Sequence, residues 1–270
     1  RYVFDDWDVL REKFKGKRLL IFLDYDGTLT PIVRTPERAV ISAATKNELA
    51  LLSQDPCCKI AIISGRSLED VRSKLVLKNV IYSGNHGLEI KGPGIRYAQA
   101  LPSSHRASLL TLKRDLGKKI AVFRGAFIED KGLALTLHFR QVRPGEVAAL
   151  KDVFYGIVKP YVTKHAVEIK AGKRVLEVRP FIAWDKGKVV LWLLARKKFT
   201  GSANGYVPIY IGDDLTDEDA FKALEHSGIT IRVGKPRSSC AQYYVNNSVE
   251  VRKILVKIAH MLREVGRCSS

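Results

Sequence analysis

A doubly wound, Rossmann-like α/β fold, in which helices cover an open parallel sheet, is predicted for most of this 270-residue chain. Apolar runs of strand length occupy 19–23, 60–63 and 207–211, and the apolar residues in them are continuous rather than alternating. Continuous apolar runs are typical of parallel strands that are buried on both faces. Helical periodicity at 42–53 and 248–265 indicates that helices separate and follow these strands.

The middle of the chain has a different pattern, from which we predict a smaller α+β domain inserted at 102–180. Apolar and polar residues alternate along two segments, which indicates antiparallel hairpins with one open face. The core domain would then comprise 1–101 and 181–270. The predicted inserted elements are helices at 103–120 and 144–159 and hairpins at 126–140 and 165–178, which turn at Asp130-Lys131-Gly132 and Ala171-Gly172.

The composition excludes several classes of protein. Hydrophobic residues make up 46% of the chain, enough for a sizeable core and against disorder. No apolar stretch approaches the roughly 20 residues that a membrane helix needs. The segment 1–10 is too acidic for a signal peptide, and the absence of an initiator Met leads us to expect a chain trimmed from a longer one.

The cysteines predict a reducing, cytoplasmic location. They show no CxxC spacing, and we expect no disulfide framework. The four residues are Cys57, Cys58, Cys240 and Cys268.

The formal net charge of +18 at pH 7 suggests an anionic partner, either a phosphorylated small molecule or nucleic acid. The alternative is a solubility surface of scattered Lys and Arg. Because the basic residues are spread along the chain rather than forming one block, the charge alone does not decide between these alternatives.

Polar residues follow each of the three apolar runs: Asp24-Tyr25-Asp26-Gly27-Thr28, Ser64-Gly65-Arg66 and Gly212-Asp213-Asp214. Ligands of open parallel sheets bind at the carboxyl ends of the strands, so we expect these segments to converge on one crevice. Two carboxylates as close as those of Asp24 and Asp26 repel each other and are costly to desolvate, which favours a cation between them. Clustered carboxylates suit a hard cation such as Mg²⁺.

Each segment also has a purely structural interpretation. Asp26-Gly27 is a common turn dipeptide, 216–219 is compatible with a capping box that opens a helix, and 64–66 is compatible with an ordinary loop. The occurrence of all of them after buried strands favours a functional site.

These segments resemble the motifs of the haloacid-dehalogenase-like phosphatases. Residues 24–28 fit the DxDGT signature, Ser64 fits the second motif, Lys186 the third and 213–214 the acidic fourth, in that order. The segments DYDGTLTPIV, ISGR, NHG and GDDLTDEDAF resemble more narrowly the trehalose-6-phosphate phosphatases. That family carries a substrate-covering cap after the second motif, where this chain has its predicted inserted domain.

The resemblance implies hydrolysis of trehalose 6-phosphate to trehalose and phosphate, the last step of trehalose biosynthesis. It implies that Asp24 is the nucleophile that forms an aspartyl-phosphate, and that Asp26 is first the general acid and then the base. Ser64 and Lys186 are implied to bind the phosphate oxygens. Lys186 lies at the start of a predicted helix, 184–198, where the helix dipole disfavours a cation, so a functional role explains it better than a solvated lysine.

A Mg²⁺ site is also implied by the resemblance. Its ligands would be the carboxylates of Asp24 and Asp213 and the backbone carbonyl of Asp26. Asp214 and Asp217 would act through water or by orienting a ligand.

Substrate recognition is implied for loops of the core and for the inserted domain. A disaccharide with many hydroxyls requires charged or amide side chains, and Glu129 and Lys131 share one face of the first hairpin. A row of cross-strand ion pairs is the structural alternative. The implied substrate-binding residues are Thr28, Gly65, Arg66, Asn85, His86, Glu129, Lys131, Arg140, Lys173 and Glu177.

Two other functions stay open. One is a different sugar-phosphate phosphatase, of the sucrose-phosphate or mannosyl-phosphoglycerate type, because the hairpin residues are the weaker part of the match. The other is a non-catalytic basic module that binds a polyanion, against which the intact set Asp24, Asp26, Lys186 and Asp213 argues. We expect no nucleic acid or membrane partner, and we consider fusion or association with a trehalose-phosphate synthase.

Overall fold

The structure is a computed structural model that describes residues 1–33, 35–172, 174–182, 184–201, 205–235 and 238–264. The chain divides into two compact units. The first comprises Arg1–Ala98 and Trp184–Ser270, and the second Gln99–Ala183. That the first is a catalytic core and the second a substrate-specificity domain stays a prediction.

The secondary structure of the described residues is numbered in chain order. The strands are β1 Arg18–Leu23, β2 Cys58–Ile63, β3 Val80–Gly84, β4 Glu89–Gly92, β5 Ile95–Ala98, β6 Phe127–Asp130, β7 Leu135–His138, β8 Val167–Gly172, β9 Val175–Pro180, β10 Tyr206–Gly212, β11 Ile229–Val233 and β12 Tyr243–Val245. The α-helices are α1 Trp7–Phe14, α2 Ala43–Gln54, α3 Leu68–Leu75, α4 Ser103–Ile120, α5 Val147–Thr163, α6 Lys186–Leu194, α7 Lys197–Thr200, α8 Glu218–Leu224 and α9 Ser248–Glu264.

The sheet of the first unit has the order β12-β11-β10-β1-β2-β3-β4-β5. Its centre consists of the three predicted strands, β10, β1 and β2, which pair in parallel with Ile21 opposite Ile209 on one side and Ile60 on the other. Only the pairs β3–β4 and β4–β5 at one edge are antiparallel. The predicted α/β fold is therefore confirmed, and the carboxyl ends of β1, β2 and β10 lie side by side.

Strand β1 is buried because helices cover both faces of the sheet. Leu19, Ile21 and Leu23 belong to an apolar cluster that includes residues of α1, α2 and α9. Leu20 and Phe22 belong to a second cluster with residues of α6 and α8. Successive side chains of a strand point to opposite faces, so a continuous apolar run is what this position requires.

The predicted helices of the first unit are present, with one change of bounds. Helix α2 begins after Ser42, whose hydroxyl accepts a hydrogen bond from the Thr45 backbone N–H at 3.1 Å, as an N-cap does. The helix predicted at 184–198 begins instead at Lys186 and ends at Leu194. The reason for the later start is that Asp185 caps this helix through the N–H of the third helical residue.

The sheet of the second unit is antiparallel, in the order β6-β7-β9-β8. One of its faces packs on α4 and α5 through an apolar cluster. The first hairpin turns where predicted, with Gly132 at φ +79°. The second turns later than predicted, because Gly172 is still paired, opposite Val175. The expected turn at Ala171-Gly172 is therefore wrong.

The cysteines do not all behave as the sequence predicts. Cys57 is disulfide-bonded, whereas Cys58 and Cys240 are free thiols. The expectation of no disulfide framework is therefore contradicted at Cys57. A disulfide depends on how close the fold brings two Cα atoms, which spacing along the chain does not reveal.

Within the described residues, no helix combines the length and the apolar composition needed to cross a membrane.

Candidate active site

The first functional segment begins where β1 ends. The backbone N–H of Asp24 donates to the Ile211 carbonyl at 3.0 Å, which places this residue beside the end of β10. Gly27 has φ +86°, and a Cβ there would lie 2.4 Å from the carboxyl carbon of Asp213. A side chain at this turn would therefore collide with Asp213, and only glycine permits both the backbone conformation and the close approach.

Three buried carboxylates meet at these strand ends. One oxygen from each of Asp24, Asp213 and Asp217 lies within 4.8 Å of the other two. The Lys186 ammonium donates to Asp24 Oδ1 at 2.8 Å and to Asp217 Oδ1 at 2.7 Å. When all four groups are ionised, they carry an excess of two negative charges. An all-oxygen cluster with this excess fits a hard divalent cation.

Asp217 is already occupied by protein donors. Its Oδ1 accepts from Lys186 and from the Tyr210 hydroxyl at 2.7 Å, and its Oδ2 accepts from the Asp214 backbone N–H at 2.8 Å. The residue has no exposed surface. Asp217 is thus arranged to fix Lys186, and Asp24 and Asp213 are better placed to offer oxygens to a cation.

Burial decides the ionisation of this cluster. Desolvation raises the pKa of Asp24 well above its ordinary value, Asp217 and Asp213 raise it further, and Lys186 opposes the shift. Desolvation lowers the pKa of Lys186, but the attraction of Asp217 and Asp24 outweighs it and holds that pKa well above its ordinary value. A carboxylate nucleophile must be ionised, and a bound cation favours that form.

Two hydroxyls lie buried in the first and second segments. Thr28 has no exposed surface, and its Oγ1 has no hydrogen-bond partner among the described residues. Ser64 is 1% exposed, and its Oγ accepts from the Arg66 backbone N–H at 3.1 Å. A buried hydroxyl without a partner is costly, so the position of Thr28 suits a ligand that accepts a hydrogen bond.

The second segment is tied to the turn Asn85–Gly87. The Asn85 N–H donates to the Arg66 carbonyl at 2.7 Å, and the His86 N–H donates to the Ser64 carbonyl at 3.0 Å. The His86 ring packs on Gly65, where a Cβ would lie 2.6 Å from it. These contacts bring four of the predicted core substrate-binding residues, Gly65, Arg66, Asn85 and His86, into one local assembly.

The side-chain carboxylates of Asp26 and Asp214 do not belong to the three-carboxylate cluster. The Asp26 side chain, 47% exposed, pairs with Arg66. Asp214 accepts from the Leu215 N–H and forms a capping box with Asp217 at the turn Leu215–Asp217. A capping box is therefore formed, but between Asp214 and Asp217, two residues earlier than the one that the sequence offered at 216–219.

Three of the predicted sugar-binding residues of the second unit, Glu129, Lys131 and Glu177, lie on the polar side of its sheet. Lys131 Nζ donates to Glu177 Oε1 at 2.9 Å, and the Thr136 hydroxyl donates to the same oxygen at 3.3 Å. Glu129 accepts from His138 Nε2 at 2.7 Å. Arg140 is exposed beyond β7, and Lys173 lies outside the described residues.

Comparison with known proteins places this arrangement in a family. A model of the family described as "Trehalose-phosphatase" matches residues 22–252. The chain belongs to the trehalose-phosphatase family. Its members named below are phosphoric monoester hydrolases, so membership makes the chain an enzyme of that class.

Individual members of the trehalose-phosphatase family agree with this assignment. "Trehalose 6-phosphate phosphatase RA3" of Zea mays is 37% identical over 262 residues, which cover 91% of this chain and 71% of that protein. The C-terminal domain of a trehalose-6-phosphate phosphatase from C. albicans has a TM-score of 0.79 at 28% identity, covering 93% of this chain and 96% of that one. A haloacid dehalogenase-like hydrolase from Bacteroides thetaiotaomicron, at 16% identity and TM-score 0.62, covers 90% of this chain and 100% of its own and shows the shared fold alone.

Sequence analysis missed several residues that contact predicted site residues within the first or the second unit. Tyr210 lies within the apolar run of β10 and was indistinguishable from a core residue. Asp70 carried the signal of a first-turn helix acid only. His138 and Thr136 alternate with apolar residues on β7, which marks the polar face but identifies no partner.

Proposed function

We propose that this chain hydrolyses trehalose 6-phosphate to trehalose and phosphate through an aspartyl-phosphate on Asp24. The observation that carries the proposal is the buried pair of Asp24 and Lys186 beside the carboxylates of Asp213 and Asp217. A carboxylate held by an ammonium at the end of a parallel strand is placed to attack an anionic phosphorus centre. The names of the relatives support the choice of substrate.

In the first step, a carboxylate oxygen of Asp24 forms a bond to phosphorus while the bond from phosphorus to the sugar oxygen breaks. Asp26 gives its proton to the departing sugar oxygen. In the second step, water attacks the phosphorus, its proton goes to Asp26, and the bond to Asp24 breaks to release phosphate. Ser64, Thr28 and Lys186 donate hydrogen bonds to the phosphoryl oxygens, where charge accumulates.

Mg²⁺ is the cofactor that fits the donor set. Asp24, Asp213 and the Asp26 backbone carbonyl would hold it, and Asp217 and Asp214 would keep Lys186 and the turn in place. When bound, the ion neutralises charge on the phosphate.

We assign recognition of the sugar to the second unit, through Glu129, Lys131 and Glu177 on the polar side of its sheet and through Arg140 and Lys173. The buried, charged hydrogen bond between Lys131 and Glu177 supports this assignment. A buried ion pair costs free energy unless it serves binding or all of its polar atoms are hydrogen-bonded. Arg66, Asn85, His86 and Gly65 of the first unit complete the proposed binding set.

The decisive experiment measures phosphate release from trehalose 6-phosphate, sucrose 6-phosphate, mannosyl phosphoglycerate and glucose 6-phosphate, with and without Mg²⁺. We expect the highest kcat/KM for trehalose 6-phosphate and no turnover after chelation. A preference for another ester would assign the chain to that sugar phosphate. No hydrolysis of any ester would favour the non-catalytic, polyanion-binding alternative. Association with a trehalose-phosphate synthase and the cytoplasmic location stay predictions.

A further inference from the structure

The Arg66 guanidinium is buried and shared by two carboxylates. Its Nε and Nη2 donate to the two oxygens of Asp26, each at 2.7 Å, and its Nη1 donates to Asp70 Oδ2 at 2.5 Å. Nη2 also donates to the Pro36 carbonyl at 2.7 Å. The Arg66 side chain is only 6% exposed and lies 5.2 Å from the centre of the Tyr25 ring. In the structure the donors of Arg66 are directed at protein acceptors, so Arg66 holds these side chains in place.

The arrangement constrains Asp26 under the proposed function. A carboxyl group that serves the departing sugar oxygen must direct one of its own oxygens at that atom. In the structure, both oxygens of Asp26 are engaged by Arg66. Asp26 must therefore give up at least one of these hydrogen bonds when it turns towards the substrate.

Turning away would leave a buried guanidinium without its bidentate partner, which is unfavourable. Asp70 is the other carboxylate on Arg66, and its contact at Nη1 does not depend on Asp26. The charge of Arg66 thus stays compensated while Asp26 moves.

We infer that Asp70 is a positioning residue for Asp26: it retains Arg66 and so permits the Asp26 carboxyl to reach the leaving-group oxygen. This inference rests on the proposed function. Without Asp70, the guanidinium depends on Asp26 alone, and Asp26 is held away from the substrate.

The structural alternative for Asp70 is local. It is the third residue of α3, where Ser67 caps the helix and accepts from the Asp70 N–H, and a carboxylate in a first turn interacts favourably with the helix dipole. Lys74 Nζ also lies 3.9 Å from its Oδ1. Glu69 is in the same turn and is exposed, and the side-chain hydrogen bonds of Arg66 go to Asp26, Asp70 and Pro36, so Glu69 provides a matched control.

The test uses the dependence of kcat/KM on the leaving group. This ratio reports steps up to departure of the leaving group. A sugar alkoxide needs a proton donor, whereas p-nitrophenolate leaves without one. We expect Asp70→Asn to lower kcat/KM for trehalose 6-phosphate by about tenfold or more, since general acid catalysis contributes about 10²–10⁴. We expect kcat/KM for p-nitrophenyl phosphate to stay within about threefold of the wild-type value, because this leaving group needs little general acid catalysis.

Glu69→Gln should leave both values unchanged, and Asp70→Glu, which keeps the charge, should restore most of the activity on the sugar ester. Equal losses on both substrates, or no loss on either, would overturn the inference. If Asp70→Asn lacks the wild-type circular dichroism spectrum, Asp70→Ser takes its place and the same ratio decides. Failure of the wild-type enzyme to hydrolyse trehalose 6-phosphate would contradict the proposed function instead. The Asp70 comparison would then be made with the sugar phosphate that the enzyme does hydrolyse.

Discussion

At the scale of single residues, the site depends on charges that are buried together. Lys186 is 3% exposed and lies at the first residue of α6, where the helix dipole opposes a cation. Its two carboxylate partners, Asp24 and Asp217, compensate both the burial and the dipole. Removing Lys186 should therefore leave two buried carboxylates without their cation, whereas removing Asp24 leaves Lys186 paired with Asp217.

Replacing Asp24 with Asn tests the nucleophile. An amide cannot form the aspartyl-phosphate, so turnover should fall below about a thousandth of the wild-type rate, because the loss of a covalent nucleophile costs roughly 10⁴ or more. The variant should fold and keep or exceed the wild-type Tm, because the change relieves carboxylate repulsion. Phosphate release and a thermal melt measure both effects. Asp152→Asn, on the exposed surface of α5, is the control, and substantial residual turnover of Asp24→Asn would contradict the assignment.

Replacing Lys186 with Met tests the buried ammonium. Asp24 and Asp217 would lose their common cation, and we expect the free energy of unfolding to fall by about 3 kcal/mol or more, along with the loss of activity. Lys188→Met is the matched control in the same helix. Its side chain is 46% exposed and pairs with Asp185 at 3.5 Å, so its cost should stay below about 1 kcal/mol. Equal costs in denaturant unfolding would show that the burial of Lys186 has no energetic consequence.

At the scale of secondary-structure elements, the site is an edge where strands β1, β2 and β10 end together. The turn after β1 carries Asp26 and Gly27, and the turn after β10 carries Asp213. These two turns approach closely enough that a single Cβ would fill the space between them.

Replacing Gly27 with Ala tests that approach. The added methyl should displace Asp213, weaken Mg²⁺ binding at least tenfold and destabilise the fold. Gly234→Ala separates the two causes, since Gly234 has a similar φ of +84°, but no atom of the described residues lies within 4 Å of the added Cβ. It should show only backbone strain, about 1 kcal/mol. Mg²⁺ titration followed by Tm compares the variants, and equal behaviour would mean that the contact with Asp213 is unimportant.

Mg²⁺ should stabilise the protein more at neutral than at mildly acidic pH. The pKa of Asp24 is raised by burial, so in the metal-free protein its carboxyl group takes up a proton at a higher pH than usual. Binding the cation requires the carboxylate and releases that proton, so affinity increases with pH. Tm with and without Mg²⁺ at several pH values measures this effect.

Activity should vanish on chelation, and Ca²⁺ should inhibit because it accepts more ligands at longer distances. Full activity after exhaustive chelation would rule out the metal site. A pH-independent shift of Tm by Mg²⁺ would rule out the coupling to Asp24.

At the scale of the whole molecule, the chain has a mainly parallel-sheet unit, to which we assign the phosphate chemistry, and an antiparallel unit with one charged face. A generic ester such as p-nitrophenyl phosphate has no sugar, so comparing it with trehalose 6-phosphate separates recognition from chemistry.

Replacing Glu177 with Ala tests the second unit's charged face. Glu177 is 6% exposed and accepts hydrogen bonds from Lys131 and Thr136, so its loss leaves buried polar groups unpaired. We expect kcat/KM for trehalose 6-phosphate to fall by about 10²-fold and that for p-nitrophenyl phosphate to change little. Glu177→Gln, which keeps the shape, should be intermediate. Equal losses on both substrates would mean that Glu177 supports the fold or the chemistry, and no loss would make its pairing with Lys131 purely structural.

The sequence alone was sufficient for the fold class, the three central strands and the family. These features follow from local patterns: continuous apolar runs, a glycine-containing turn and acids directly after the strands. Strand burial and the residue types at strand ends both show in residues that are neighbours along the chain, so they can be predicted from the sequence alone.

Only the tertiary structure decided which side chains pair. Lys186 donates to Asp24, 162 positions away in the sequence, and Arg66 donates to Asp26, 40 positions away. Tyr210, which the sequence does not distinguish from a core residue, donates a hydrogen bond to Asp217. Each depends on which side chains the fold buries together, because burial makes a hydrogen bond or an ion pair obligatory but leaves the choice of partner to the fold.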